Sequence, residues 1–403
     1  MFDSQQPGRH QPREHRPTAA SSDTWIPDLP LYHLDRPRLF DLLDTGVNGP
    51  LTLVSAPAGG GKTVLVSSWV SSGRPPYPVF WLSGGTDDVW ARLAAVLADA
   101  GLVVPNAGNG RTPEDLLRML DGIRVPVVVV LDDLPDVADP RLLAVLELVA
   151  ERGRGQLRLV VACRVDPPLP LLRWRMRGVL THLTANDLWF TLDEARALLS
   201  AHGVALADPA LLELHGLTEG WPAALRLAAM SMQGHPEPEQ LVTDFALHDR
   251  ALGGYLMGEV LAGVDSQLRE VLLRLSVLDC MSPELVEALT GRHDGAEMLG
   301  WLERSNQFII HCGGQQPWYR FHPLLGLLLY DELRQHHGDE LPRIHQRAAD
   351  WYAEHDMPAD AIRHALAAKA WDRATALAEQ RWQEVLPRAR GHSRKSEIGR
   401  AHV

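Results

Sequence analysis

Cysteines and long apolar runs are scarce in this chain of 403 residues. Its three cysteines, Cys163, Cys280 and Cys312, are far apart and form no CxxC pair. This pattern argues against a disulfide framework and a zinc site, and it fits a reducing compartment. No uninterrupted apolar run is long enough to span a bilayer, and residues 1–28 lack the apolar core of a secretory signal. We therefore expect a cytoplasmic protein with no membrane partner.

Positive charge is in deficit as well. Lysine and arginine together number 39, against 51 aspartates and glutamates, which gives a net charge of -12. Because nucleic-acid binding depends on neutralising phosphates, an acidic chain is a poor candidate for holding DNA or RNA by itself. The length predicts two to four domains.

Short apolar segments alternate with amphipathic ones through the first half of the chain. Helices are predicted from RPRLFDLLDTG, VWARLAAVLADAG and TPEDLLRMLDGI, and four buried strands from LTLVSA, YPVFWLS, VPVVVVLDDL and LRLVVACRV. This alternation indicates a parallel sheet with helices on both faces, the α/β architecture of a P-loop NTPase. After Leu188 the pattern becomes helical, except that NQFIIHCGGQQPWYRF predicts a β-hairpin.

The stretch SAPAGGGKT, residues 55–63, carries the nucleotide prediction. It fits the phosphate-loop pattern with Ala56 in place of the first glycine, and it lies between a predicted strand and a predicted helix. In that setting the glycines let backbone N–H groups face phosphate oxygens, Lys62 reaches the β/γ phosphates and Thr63 ligates Mg²⁺. The alternative is a glycine-rich turn with an exposed lysine. The predicted site for ATP or ADP with Mg²⁺ comprises Ala56, Pro57, Ala58, Gly59, Gly60, Gly61, Lys62, Thr63 and Val64.

Charged residues follow two of the predicted strands. Asp132 and Asp133 end the valine-rich strand, and the carboxyl ends of parallel strands face the ligand crevice. Asp132 suits Mg²⁺ coordination, directly or through water, and Asp133 suits orienting or activating the attacking water, with strand-end capping as the alternative. Arg164 ends the next strand and is either a γ-phosphate sensor or a surface arginine. We predict Lys62, Asp133 and Arg164 as catalytic residues, and Thr63 and Asp132 as Mg²⁺ ligands.

Five motifs occur in the order seen in a known family. SAPAGGGKT, VVVVLDD, ACRVDPPLPLLRWRMRG, LTEGWPAALRLA and WYRFHPL together resemble STAND-class signal-transduction ATPases, and more narrowly the MalT-like branch of large LuxR-type transcriptional activators. The resemblance covers about residues 30–385. It implies a nucleotide-binding domain with a helical lid, a winged-helix domain, an inducer-sensing superhelix of repeats and a DNA-binding helix-turn-helix. It also implies a switch that rests with ADP and is active with ATP as an oligomer.

The resemblance assigns four more residues by position. Pro222 matches the lid proline that packs on adenine, with a helix-opening proline as the alternative. His322 matches the winged-helix histidine that contacts the β-phosphate in the ADP state, with a satisfied core histidine as the alternative. Arg36 and Arg38 fall where the family approaches the nucleotide from the N-terminal side, or they are charges at a helix start.

Two stretches depart from the family pattern. Gly60 stands where the family has an aromatic or larger residue, which predicts a more mobile loop. The segment SGGTDDVW is abbreviated relative to the family, so its Asp87 and Asp88 receive no role.

The motifs predict a domain order along the chain. The predicted parts are a disordered N-terminus over 1–28, a P-loop nucleotide-binding domain over 29–188, a helical lid over 189–236, a winged-helix domain over 237–340, the start of TPR-like helical repeats over 341–388 and a disordered or artefactual tail over 389–403. Only about one repeat unit is present, so an ordinary helical hairpin is the alternative for 341–388.

The last residues, IGRAHV, back-translate to a common sequencing-adapter read. We hypothesise a truncated gene with artefactual final residues, and a natural basic tail is the alternative. No DNA-reading helix-turn-helix is recognisable in the sequence, so DNA binding is expected only through a C-terminal domain outside this chain.

These features predict a transcriptional switch controlled by ATP and ADP, with slow hydrolysis. In the full-length protein we expect an unidentified small-molecule or protein inducer and ATP-dependent self-association. Two alternatives stay open. One is a STAND NTPase with a non-transcriptional output, such as a protease, a nuclease or a scaffold. The other is a P-loop kinase or NTPase that acts on a small molecule; RWRMRG supplies lid arginines for it, but nothing supplies an acceptor base.

Overall fold

The structure is a computed structural model, and it describes residues 26–83, 92, 123, 125–134, 140–152, 155–242, 258, 264–304, 308–312 and 317–389. Both chain ends, the segment SGGTDDVW and the helices predicted from VWARLAAVLADAG and TPEDLLRMLDGI lie wholly or almost wholly outside these residues. Within the described residues, no helix is both long and apolar enough to cross a membrane.

Five parallel strands form a sheet in the order β2-β3-β4-β1-β5. They are β1 (Leu51–Ser55), β2 (Val79–Ser83), β3 (Val127–Leu134), β4 (Leu157–Cys163) and β5 (Leu180–Leu183). The four predicted strands are confirmed. The edge strand β5 was not predicted, because LTHL is short and half polar and gives no periodic signal.

Helices cover the sheet on both faces. The helices of this layer are α1 (Pro37–Gly46), α2 (Lys62–Ser71), α3 (Pro140–Arg152) and α4 (Leu171–Met176). Side chains of β3 alternate between the two faces: Val127 and Val129 share a core with Leu146 of α3. Val128 and Val130 share the opposite core with the apolar sides of α1 and α2. A strand buried on both faces must be apolar at every position, which explains the uninterrupted valines.

Four helices follow the sheet, and the last three lie in the segment 189–236 predicted as the lid. They are α5 (Ala185–Leu188), α6 (Leu192–Ala201), α7 (Asp208–Thr218) and α8 (Pro222–Met232). Helix α6 begins with a capping box in which Thr191 and Glu194 satisfy each other's backbone N–H groups. Helix α8 begins with Pro222, whose missing N–H is unneeded in a first turn.

Three helices, a β-hairpin and a further helix make up the next part of the chain, residues 266–336, which we call the winged-helix region after its predicted fold. The elements are α9 (Ser266–Leu275), α10 (Pro283–Thr290), α11 (Gly295–Arg304), β6 (Ile309–His311), β7 (Tyr319–Phe321) and α12 (Pro323–His336). The antiparallel pair β6-β7 confirms the predicted hairpin, although its Gly-Gly turn lies outside the described residues. Met281 adds an isolated bridge to Tyr319 on the other side of β7.

Three more helices complete the described chain. They are α13 (Leu341–Glu354), α14 (Pro358–Ala367) and α15 (Trp371–Ala389). A single apolar cluster runs from Phe190 in the lid through the winged-helix region to Leu377 in α15. Lid, winged-helix region and C-terminal helices therefore share one core, which is separate from the two cores of the sheet.

Candidate functional site

The loop between β1 and α2 has a backbone that glycine alone accommodates well. Gly59 and Gly61 have φ values of 69° and 81°, in the left-handed region that other residues seldom adopt. A Cβ at Gly60 would lie 2.8 Å from the Cβ of Ala56 and 3.0 Å from the carbonyl oxygen of Pro57. The absence of a side chain at Gly60 therefore suits its close contacts with Ala56 and Pro57.

Lys62 begins α2 and folds back over this loop. Its Nζ donates hydrogen bonds to the carbonyl oxygens of Ala56 at 2.7 Å and Pro57 at 3.1 Å. Burial lowers the pKa of Lys62, because a desolvated ammonium is less stable than a hydrated one. A phosphate oxygen would offset that desolvation better than two neutral carbonyls, so the residues fit a bound polyphosphate.

Thr63 and Asp132 meet although 69 residues separate them in sequence. The Thr63 hydroxyl donates to the Asp132 carboxylate, with 3.0 Å to each oxygen. Burial raises the pKa of Asp132, and the hydrogen bond from Thr63 opposes that rise. A hydroxyl and a carboxylate beside a phosphate loop are oxygen ligands of the kind Mg²⁺ prefers, so this pair fits the metal.

Asp133 differs from the buried Asp132 in its exposure and in its backbone conformation. Regular pairing of β3 with β4 is interrupted between Leu131 and Leu134, and Asp133 has a left-handed φ of 58°. Its side chain is exposed, and the Nε of Arg164 lies 3.6 Å from its Oδ1. Non-glycine residues in this region of φ cost energy and are concentrated at functional sites. The structure thus places the three charged residues Asp132, Asp133 and Arg164 together at one edge of the sheet.

A cavity of about 340 Å³ opens beside the loop and beneath the lid. Lys62 and Thr63 line its polar part. Pro222 lies against the loop, since a Cβ at Gly61 would be 3.5 Å from its Cγ. An apolar cavity with a few polar groups is typical of a small-molecule site. The apolar lining includes Phe40, Leu65, Phe190, Leu198 and Pro222.

Residues 30–35, here called the N-terminal strap, line part of the cavity, and sequence reasoning missed them. Tyr32 and His33 line the cavity. The strap is tied to α8 by a hydrogen bond of 3.0 Å from Arg226 to the Leu31 carbonyl, and to α2 by one from Ser68 to Asp35. No short motif marks these residues, because their role depends on contacts with helices far along the chain.

Arg36 lines the cavity, but its guanidinium is directed at the lid. It donates to the carbonyl oxygens of Leu188 at 2.6 Å and Trp189 at 2.9 Å, and to Glu194 at 2.9 Å. The guanidinium carbon also lies 4.4 Å from the centre of the Phe190 ring. Its Nε has no hydrogen-bond partner among the described residues.

Arg38 joins the same network through Glu194. Arg38 donates to Glu194 at 2.8 Å and 3.0 Å, and also to the carbonyl oxygens of Asp187 and Trp189. These bonds outweigh the effect of burial and lower the pKa of Glu194 to about 2. Sequence reasoning missed Glu194, although the spacing Thr191-x-x-Glu194 is a capping-box signal.

The start of α8 is hydrogen-bonded to the phosphate loop. The indole N–H of Trp221 donates to the Ala58 carbonyl at 3.3 Å, and the backbone N–H of Ala223 donates to the Gly59 carbonyl at 3.1 Å. The preceding Gly220 has a φ of 80°, and a Cβ there would lie 2.3 Å from the Phe190 carbonyl oxygen. The sequence motif pointed to Pro222 alone; the contacts of its neighbours were not foreseen.

His322 lies behind the lid, and it is absent from the cavity lining. It is buried, its Nδ1 accepts from the Leu324 backbone N–H at 3.3 Å, and its Nε2 is 2.9 Å from the Thr218 carbonyl oxygen. Nε2 therefore carries the proton in this arrangement. Burial lowers the pKa of His322 to about 4, so the ring is neutral at physiological pH. Its contact with a β-phosphate stays a prediction.

Comparisons with known proteins agree with this arrangement. The family model of the MalT winged helix domain matches residues 257–341. Serine/threonine-protein kinase PknK of Mycobacterium tuberculosis is 32% identical over 383 residues, covering 90% of this chain and 34% of that protein. HTH-type transcriptional regulator MalT of Serratia proteamaculans is 31% identical over 352 residues, covering 83% of this chain and 39% of that protein. The chain thus spans between a third and two fifths of these relatives.

A solved structure supports the fold. The Walker-type ATPase PABY2304 of Pyrococcus abyssi aligns with a TM-score of 0.51 at 12% identity, over 74% of this chain and 99% of that one. The parallel sheet, the phosphate loop and the matched winged-helix region agree with the relatives found by sequence. The chain belongs to the MalT-like P-loop ATPases.

Proposed function

We propose that the chain binds ATP and ADP with Mg²⁺ and serves as the nucleotide switch of a STAND-class, MalT-type regulator. One observation carries the proposal: the buried ammonium of Lys62 lies beside three glycines, and among the described residues its hydrogen bonds go to two loop carbonyls, one residue from the Thr63–Asp132 pair. Such a charge beside such a backbone favours a polyphosphate over any neutral ligand.

Each residue of the site has a distinct role in this proposal. Lys62 exchanges the carbonyls for the β/γ phosphates, and Thr63 and Asp132 hold the metal. Bound Mg²⁺ supplies charge stabilisation for the phosphoryl group that is transferred. Asp133 orients the attacking water, and Arg164 donates to the γ-phosphate. Hydrolysis is slow, as befits a switch, and it resets the ADP state.

The lid and the N-terminal strap hold the base. Pro222 and the apolar lining pack against adenine, and Arg36 fixes the lid above it. The contact of His322 with the β-phosphate requires its Nε2 to leave the Thr218 carbonyl. In the proposed cycle this exchange accompanies the change between the ADP-bound resting state and the ATP-bound active state.

The remaining partners belong to the whole protein. We propose a cytoplasmic regulator that takes an inducer through TPR-like repeats after residue 341, binds DNA through a further helix-turn-helix and self-associates when ATP is bound. The relatives named as MalT regulators support the transcriptional output.

A second output is favoured by a specific observation. The relatives that share this region also include a serine/threonine-protein kinase. A nucleotide switch attached to a non-transcriptional output is therefore the second candidate. The complete gene discriminates between them, because a helix-turn-helix coding region and a kinase coding region are readily told apart.

Lys62 provides the test of the nucleotide site. Lys62→Met keeps the buried volume and removes the charge, so we expect ADP and ATP binding to be lost in isothermal titration calorimetry while the fold is retained. Lys369→Met, on the loop between α14 and α15, makes the same chemical change outside the cavity lining and is expected to bind normally. Undiminished affinity in Lys62→Met refutes the site. Fast multiple turnover with a phosphorylated small-molecule acceptor favours a kinase instead.

A further inference from the structure

Trp221 contacts the phosphate loop through its polar edge. The residue is fully buried at the N-terminus of α8, and its indole N–H donates to the Ala58 carbonyl at 3.3 Å. The backbone of Ala223, two residues later, donates to Gly59. One short segment of the lid thus donates hydrogen bonds to two adjacent carbonyls of the loop. A movement of either carbonyl on phosphate binding would change its hydrogen bond to this segment.

The apolar part of the same tryptophan faces the winged-helix region. Its ring lies edge-on to Phe308, with 4.9 Å between ring centres and 70° between planes. The ring of His322 lies 6.1 Å away at 73°, and Phe308 and His322 are 5.5 Å apart. Edge-to-face aromatic contacts are directional, so the three rings hold one another in a fixed arrangement.

Two further contacts bind the lid to the winged-helix region beside these rings. His322 is 2.9 Å from the Thr218 carbonyl, and Arg320 forms an ion pair of 2.8 Å with Glu219. Glu219 and Phe308 both have left-handed φ values, 47° and 56°, which non-glycine residues adopt at a cost. Such residues are concentrated at functional sites and switch regions, and here one lies on each side of the same interface.

We propose that Trp221 is a positioning residue that transmits nucleotide occupancy from the phosphate loop to the winged-helix region. When the Ala58 carbonyl moves, the hydrogen-bonded indole N–H moves with it, and the indole ring then shifts against the rings of Phe308 and His322. The inference rests on the proposed nucleotide switch, and it adds the residue through which the switch is read. Coupling between the two regions is reciprocal, so a shift at the rings also changes nucleotide affinity.

Trp221→Phe tests this role, because it removes the N–H donor and keeps an aromatic ring. We measure amide hydrogen exchange of β6 and β7 with and without ADP and Mg²⁺. In the parent protein we expect ADP to change the exchange rates by about fivefold or more. In Trp221→Phe we expect that change to disappear, while ADP still binds with a weakening of no more than about tenfold, the effect of one neutral hydrogen bond.

Trp81→Phe is the matched control. Trp81 is as buried as Trp221, but its indole N–H has no hydrogen-bond partner among the described residues. This variant is expected to respond to ADP as the parent does.

Phe308→Leu tests the aromatic contact of Trp221 separately from its hydrogen bond. It keeps the indole N–H and removes the ring against which Trp221 packs. We expect it to lose the response as well, whether or not Trp221→Phe is stable.

Three results overturn the proposal. They are a normal ADP response of the hairpin in both Trp221→Phe and Phe308→Leu, loss of the response in Trp81→Phe, and a parent protein that binds ADP without any change at β6 and β7. Failure of the proposed nucleotide switch gives a different result from failure of the Trp221 proposal. In that case the parent protein binds no nucleotide in calorimetry, and Lys62→Met has no effect on binding.

Discussion

Asp132 and Asp133 are neighbours in sequence with opposite surroundings. Asp132 is buried and bonded to the Thr63 hydroxyl, whereas Asp133 is exposed on a left-handed backbone beside Arg164. The regular pairing of β3 with β4 is interrupted here and Asp133 has a left-handed φ, so one carboxylate faces the loop and the other faces solvent. Two carboxylates in different environments can take different roles, and in the proposed function Asp132 holds the metal while Asp133 acts on the attacking water.

Replacement of Asp133 tests this division. Asn tolerates the left-handed φ well, so Asp133→Asn removes the charge without straining the backbone further. We expect nucleotide binding to be retained and ATP turnover to fall by about 10²- to 10⁴-fold, the usual effect of losing a general base. Calorimetry and a phosphate-release assay measure the two quantities. Asp132→Asn is the comparison, and there we expect weaker Mg²⁺-dependent binding. Equal turnover in Asp133→Asn and the parent contradicts the assignment.

The first turn of α6 ties the lid to the N-terminal part of the chain. Glu194 caps the helix by accepting from the Thr191 backbone N–H, and it also holds Arg36 and Arg38. A single carboxylate therefore starts a lid helix and binds the two arginines that precede and begin α1. The sequence resemblance directed these arginines toward the nucleotide; the structure directs their hydrogen bonds to the lid.

Glu194→Gln separates these two tasks. Glutamine still serves at the third position of a capping box, so the helix start is preserved while the charge is lost. We expect the free energy of unfolding to fall by about 2 kcal/mol, since hydrogen bonds to charged groups are removed. Glu332→Gln, which breaks an ion pair with Arg269 in the winged-helix region, is expected to cost less than about 1 kcal/mol. Chemical denaturation measures both, and equal losses would show that Glu194 is an ordinary surface ion pair.

Prediction from sequence succeeded for elements with local signals. The strands β1 to β4 have apolar runs, and the phosphate loop has a spacing that its mechanism requires. Prediction missed β5, whose four residues pair with β1 only at one edge of the sheet. It also missed the contact of Trp221 with Ala58, because 163 residues separate the partners and no local pattern records such a contact.

Three buried histidines make the stability of the folded protein depend on pH. His322 bridges lid and winged-helix region, and His345 of α13 faces His364 of α14 with 2.9 Å between their Nδ1 atoms. Burial lowers the pKa of all three, to about 4 for His322 and about 3 for His364. All three are therefore neutral in the folded protein at neutral pH.

Acid is expected to destabilise the protein at mild pH. The unfolded chain takes up protons on His322 and His364 near pH 6.5, whereas the folded protein does so only near pH 4 and pH 3, and the lowered pKa of His345 acts in the same direction. Because the unfolded state binds more protons in this window, stability is full above pH 6.5 and falls as pH drops toward 4. Urea denaturation at pH 7.5, 6 and 5 measures the loss. A constant free energy of unfolding across this series contradicts the prediction.

The apolar cluster that continues from Phe190 to Leu377 has a consequence for dividing the protein. The motifs suggest cuts near residues 236 and 340, but both cuts pass through this cluster and would leave apolar faces bare on each piece. Fragments made at those points would expose surface that promotes aggregation. The natural place to separate the chain lies earlier, between the sheet and the lid, where the cores are distinct. A cut at that point would separate the phosphate loop from Trp221, which contacts it. The isolated sheet domain would then keep Lys62 but would lack the lid.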